Sequence, residues 1–137
     1  MAASSKTSKA RLPIVLVVDD EPHIAQVVAL NLSRAGLTPI CCANGAEALE
    51  RARLHPPSLV ITDHQMPKMT GLEFAQQLRA ASRTPPVLML TARGTGLDRS
   101  MLEQAGIVAV MAKPFSPRAL VERSLALITG AVSSEAA

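Results

Sequence analysis

Three acids, a lysine and a threonine define the chemistry open to this chain. Asp19 and Asp20 are adjacent, while Asp63, Thr91 and Lys113 follow at wide intervals. Brought together, the three carboxylates would form a hard-oxygen cluster whose mutual repulsion is relieved only by a cation or a proton. Mg²⁺ suits such a set, being small, oxygen-seeking and commonly held by one or two carboxylates with waters and phosphate oxygens. Mn²⁺ is the natural substitute. Lys113 would add a compact positive charge and Thr91 a hydroxyl donor, so that a phosphoryl group could sit between lysine and metal. The plainer alternatives are a helix N-cap for Asp19 or Asp20, a solvated surface lysine, and a turn or cap role for Thr91.

Bringing these residues together falls to the elements that precede them. Aliphatic runs over residues 14–18, 38–42, 59–62, 87–90 and 108–112 read as buried strands. Between them lie helical segments: Pro22 opens the first, with Ile24, Val27, Val28, Asn31, Leu32 and Ala35 at helical spacing, and Gly36 is suited to terminate it. The others are expected over 45–54, about 72–80, about 97–104 and about 117–128. Strict alternation with short connections predicts an α/β fold, a parallel sheet with helices on both faces. In such a sheet the C-terminal ends of the strands share one edge, and Asp19-Asp20, Asp63, Thr91 and Lys113 each stand at one of those ends.

A chain of 137 residues fits one domain, expected over 12–129 between flexible tails at 1–11 and 130–137. With only Phe74 and Phe115 as aromatics, the core must be aliphatic, and base-stacking platforms are not expected. The formal charge of +3 belongs to the leading segment with Lys6, Lys9 and Arg11; from residue 12 onward basic and acidic residues balance, so no nucleic-acid partner is expected. No apolar stretch approaches a membrane span, which predicts a cytoplasmic protein without a membrane partner. Cys41 and Cys42, adjacent in sequence, are expected to be reduced, mostly buried thiols. His23, His55 and His64 are too scattered for a metal set; His64 is expected to pack or face the surface. Gly94 and Gly96 soften the loop after Thr91.

The segment Thr62-Asp63-His64-Gln65-Met66-Pro67-Lys68-Met69-Thr70-Gly71 resembles the phosphoacceptor loop of receiver domains, the response-regulator modules of two-component signalling. Asp19-Asp20-Glu21, Thr91-Ala92 and Lys113-Pro114-Phe115 match the family's other motifs in order, so the likeness runs from 14 to about 129. It implies a flavodoxin-like, doubly wound sheet of five parallel strands in order 2-1-3-4-5 with five helices. It also implies phosphoryl transfer to Asp63 from a sensor histidine kinase or a histidine phosphotransfer protein, and a downstream protein target. Asp19, Asp20, Asp63 and the backbone carbonyl of Gln65 would hold Mg²⁺, Lys113 would pair with the phosphoryl charge, and Thr91 would switch. Gln65 and Arg93, two residues after Asp63 and Thr91, would tune the phosphoryl lifetime. Val110 departs from the pattern, since the family usually places an aromatic switch residue there.

The expected protein is therefore a single-domain regulator, monomeric or weakly dimeric, whose only catalysis is accepting and hydrolysing its own phosphoryl group. Two alternatives differ in class. A receiver-like module could signal without phosphate, with Val110 as its best support. A Mg²⁺-dependent phosphatase with an aspartyl nucleophile would want a second acid two residues on, where this chain has Gln65.

Overall fold

The computed structural model describes residues 12–81, 85–92 and 96–130. Five strands alternate with five helices: β1 (Ile14–Val18), α1 (Pro22–Arg34), β2 (Thr38–Cys42), α2 (Gly45–Leu54), β3 (Leu59–Asp63), α3 (Gly71–Ala81), β4 (Val87–Thr91), α4 (Arg99–Gln104), β5 (Ile107–Ala112) and α5 (Pro117–Thr129). All strand pairs are parallel, and the order is β2-β1-β3-β4-β5. That is the doubly wound architecture expected from the alternation. The tail expected at 1–11 and residues 131–137 of the tail expected at 130–137, together with Arg93 and Gly94, lie outside the described residues.

Strand periodicity divides the core into two layers. Leu16, Val18, Val60 and Met89 pack with Ala48, Ala52, Phe74, Ala75 and Leu78 on the side of α2 and α3. Val15, Val17, Ile61, Leu88 and Leu90 pack with Ala25, Val28, Leu32 and Leu120 on the side of α1 and α5. The three central strands are apolar on both faces because helices cover both. On α1 the buried stripe is Ala25, Val28 and Leu32, and Val27 faces solvent although it falls within the expected spacing.

Local signals set the ends. Pro22 occupies the first turn of α1, and Gly36, with φ 91°, follows its C-cap in the left-handed region that L-residues avoid. α4 starts at Arg99 rather than Leu97, because the Asp98 carboxylate accepts the Met101 N–H at 2.9 Å and so caps the helix. α4 buries no residue fully, and Leu102 rests only partly against the core. The expectation of two mostly buried thiols needs correction: Cys42 is buried in the α2–α3 layer, whereas Cys41, alternate to it on the edge strand β2, is exposed.

Candidate phosphoacceptor site

The sheet's own hydrogen bonding carries the polar residues to one edge. Asp19 N–H donates to the Cys42 carbonyl at 3.0 Å, His64 N–H to Leu90 at 3.0 Å, and Lys113 N–H to Thr91 at 3.0 Å. Asp63 and Thr91 are the last residues of β3 and β4 rather than the first residues beyond them. Their side chains are thus fixed by strand geometry.

Asp19 and Asp63 are each only 4% exposed, Asp20 is exposed, and one carboxylate oxygen from each lies within 4.8 Å of the others. Neither Asp19 nor Asp20 caps α1: the cap is Glu21, which makes no side-chain cap bond, and Asp19 Oδ1 instead accepts the Glu21 N–H at 2.9 Å. Burial pushes the Asp19 carboxyl above its ordinary pKa; the Glu21 N–H opposes this, and the Asp63 charge adds to the rise. Lys113 reaches in from beyond β5, with Nζ 2.6 Å from Asp63 Oδ1. Its partial burial acts to lower its pKa, but the hydrogen bond and charge of Asp63, with further help from Asp19 and Glu21, hold it above its ordinary value.

One ammonium faces three carboxylates, an arrangement short of positive charge. The set is all hard oxygen, and exposed Asp20 leaves a side open to solvent and ligand, which fits a small divalent cation with some of its waters retained. Thr91 is buried, and its hydroxyl donates to the Ala92 carbonyl at 3.3 Å.

The loop after Asp63 is tightly constrained. Met66 is buried, Gln65 is exposed, and Met69 N–H bonds the Pro67 carbonyl at 2.8 Å across Lys68, whose φ of 72° is left-handed. The Lys113–Pro114 peptide is cis. His64 is half-buried, with Nδ1 buried and lacking a hydrogen-bond partner among the described residues. Val110 lies on the outer face of the edge strand β5, 43% exposed. Thr62 Oγ1, which drew no attention in the sequence, donates to the Asp63 carbonyl at 2.9 Å.

The model of the response regulator receiver domain matches residues 15–124. The chain belongs to that family. This receiver is 39% identical over 114 residues to the alkaline phosphatase synthesis transcriptional regulatory protein PhoP of Bacillus subtilis, an alignment covering 83% of this chain and 48% of that one. It is 38% identical over 119 residues to hybrid signal transduction histidine kinase D of Dictyostelium discoideum, covering 85% of this chain and 8% of the kinase. Among solved structures, the Vibrio cholerae chemotaxis protein CheY4 superposes with a TM-score of 0.79 at 33% identity, covering 85% of this receiver and 98% of that chain. The receiver spans about half the length of PhoP. Among the described residues, no helix is long and apolar enough to cross a membrane.

Proposed function

We propose that this receiver accepts a phosphoryl group on Asp63 from a phosphohistidine of a sensor histidine kinase or histidine phosphotransfer protein, and signals through phosphorylation-dependent protein contact. The observation that carries the reading is a buried carboxylate in contact with a lysine, beside two further acids, at the C-terminal edge of the sheet. An Asp63 oxygen attacks phosphorus, the N–P bond of the donor breaks, and the imidazole leaves with the electron pair and takes up a proton. The product is an acyl phosphate. Transfer of this kind depends on alignment and charge neutralisation more than on nucleophile strength.

Asp19, Asp20, Asp63 and the Gln65 carbonyl would hold Mg²⁺, with Mn²⁺ as substitute. Bound there, the ion would neutralise phosphoryl oxygens. Lys113 supplies the opposing charge and orients the phosphoryl group as it leaves the donor. Thr91 then donates its hydroxyl to the aspartyl phosphate in place of the Ala92 carbonyl, which favours the conformer offering that contact. Gln65 and Arg93 set how fast water hydrolyses the acyl phosphate. Output passes to a downstream protein target by a route that does not need an aromatic residue at Val110.

Incubation with acetyl phosphate and Mg²⁺ tests the reading. The expected result is an acid-stable, base-labile adduct on Asp63, absent from Asp63→Asn. No adduct while Asp63 is accessible would overturn it in favour of a phosphate-independent module.

A further inference from the structure

We infer that Gly71 and the Thr62 hydroxyl are positioning residues that clamp the Asp63 peptide and so aim its carboxylate, an inference that rests on the phosphoacceptor reading above. Gly71, the first residue of α3, has no left-handed φ to explain it; what demands glycine there is space. A β-carbon on Gly71 would run into the Asp63 carbonyl oxygen, with His64 Cα at 2.9 Å and the Asp63 carbonyl carbon at 3.1 Å. All three are backbone atoms, so no side-chain rotation relieves the collision.

The helix is poorly placed to retreat. Its N-terminus is locked by a reciprocal pair, Thr70 N–H to Glu73 Oε1 at 3.0 Å and Glu73 N–H to Thr70 Oγ1 at 3.1 Å, and Gly71 N–H bonds the His64 carbonyl at 2.8 Å. Behind it Leu72, Phe74, Ala75 and Leu78 are buried. The strand yields more readily at its end: β1 pairs with β3 only as far as Thr62, whereas β4 pairs through Asp63. At this end of β3, Asp63 is therefore paired on the β4 side alone. Its carbonyl oxygen accepts the Thr62 hydroxyl at 2.9 Å and stands where a β-carbon on Gly71 would collide with it. Pushing that carbonyl turns the Cα that carries the nucleophile.

Gly45, the first residue of α2, provides the contrast. The three atoms nearest a β-carbon there all belong to the Met69 side chain, its Sδ, its Cγ at 3.2 Å and its Cβ at 3.4 Å, and a methionine end can swing away.

Three variants test the clamp, each assayed for the maximal rate of phosphorylation by acetyl phosphate at saturating Mg²⁺, for apparent Mg²⁺ affinity by calorimetry, and for folding by circular dichroism. Because a misplacement of about 1 Å can cost about a hundredfold in rate, Gly71→Ala is expected to lose about tenfold or more in maximal rate while folded, Thr62→Val about threefold, and Gly45→Ala less than about twofold. A folded Gly71→Ala with the parent maximal rate overturns the clamp, as does Gly45→Ala losing as much as Gly71→Ala. Should Gly71→Ala not fold, Thr62→Val decides, since it keeps the heavy-atom count and replaces the hydroxyl by a methyl that cannot donate; the parent rate there overturns the clamp. If the parent chain takes no phosphoryl group, the functional reading falls, and crystal structures decide the clamp alone. An Asp63–Lys113 contact unchanged in Gly71→Ala, or in Thr62→Val if the former does not fold, would overturn it, and a displaced one would support it.

Discussion

Lys113 Nζ and Asp63 Oδ1 meet at 2.6 Å although Asp63 ends β3 and Lys113 follows β5, strands that are not neighbours: β4 lies between them, and the lysine spans it from beyond the end of β5. The pair is a bridge over Thr91, the last residue of the intervening strand. Lys113 is the side chain that compensates the Asp63 charge directly, so its removal leaves a buried carboxylate facing two others. Lys113→Met should destabilise the metal-free protein by about 1–3 kcal/mol, a few degrees in Tm. Added Mg²⁺ should narrow that difference, and a thermal melt in chelator against one in Mg²⁺ reads it directly. An unchanged melting temperature in chelator would show that Asp63 needs no counter-charge.

The Asp19 carboxyl should make stability pH-dependent in the direction opposite to a salt-bridged acid. Its folded pKa lies above the ordinary 3.8, so the folded state favours the protonated form; this contribution is full below that value and is lost as pH rises through the folded pKa. At neutral pH without metal, Asp19→Asn should therefore stabilise by on the order of 1 kcal/mol. The advantage should shrink towards zero below pH 3.8, which urea melts at pH 3 and pH 7 will measure.

The two thiols should separate cleanly in reactivity. Cys42 is buried and its pKa is pushed up to about 11, mainly by burial, whereas Cys41 is exposed with a smaller upward shift from the same cause. Iodoacetamide at pH 8 is expected to modify Cys41 in the native protein and Cys42 only after denaturation, as peptide mass mapping would report. Native modification at Cys42 ahead of Cys41 would contradict this. The Cys42 stabilisation should be full below pH 9 and decline as pH rises towards 11.

Lys68 holds a left-handed backbone conformation inside the loop that follows Asp63. Such a conformation costs an L-residue about 1 kcal/mol, and glycine adopts it without that penalty. Lys68→Gly should accordingly leave stability unchanged or raise it by up to about 1 kcal/mol, while Lys68→Val should lower it. Chemical denaturation of both variants gives the comparison.

Much of the fold could be read before the structure, because β1, β3, β4 and β5 are mostly aliphatic runs and each of the five polar residues closes or follows one. Boundaries moved where a side chain competes with the backbone, as Asp98 does in shortening α4. Cys41 and Val27 turned outward because an edge strand and a helix flank expose residues whose chemistry alone would bury them. Gly71, Lys68 and Thr62 stand in the segment that carries the resemblance, but what each does there could not be read from the sequence, since it lies in how closely one backbone segment approaches another. A glycine opening a helix and a threonine before an aspartate are commonplace until the carbonyl between them is located.

The short α4, capped by Asp98 and without a fully buried side chain, has a consequence for hydrogen exchange. Its amides should exchange fastest among the five helices, through openings that leave both core layers closed. Rearranging the chain after Thr91 then works against a local cost rather than against the stability of the whole domain. Under the proposed function, a modest energy gained at the Thr91 hydroxyl would act against that local cost, with no need to move the sheet that holds the acids.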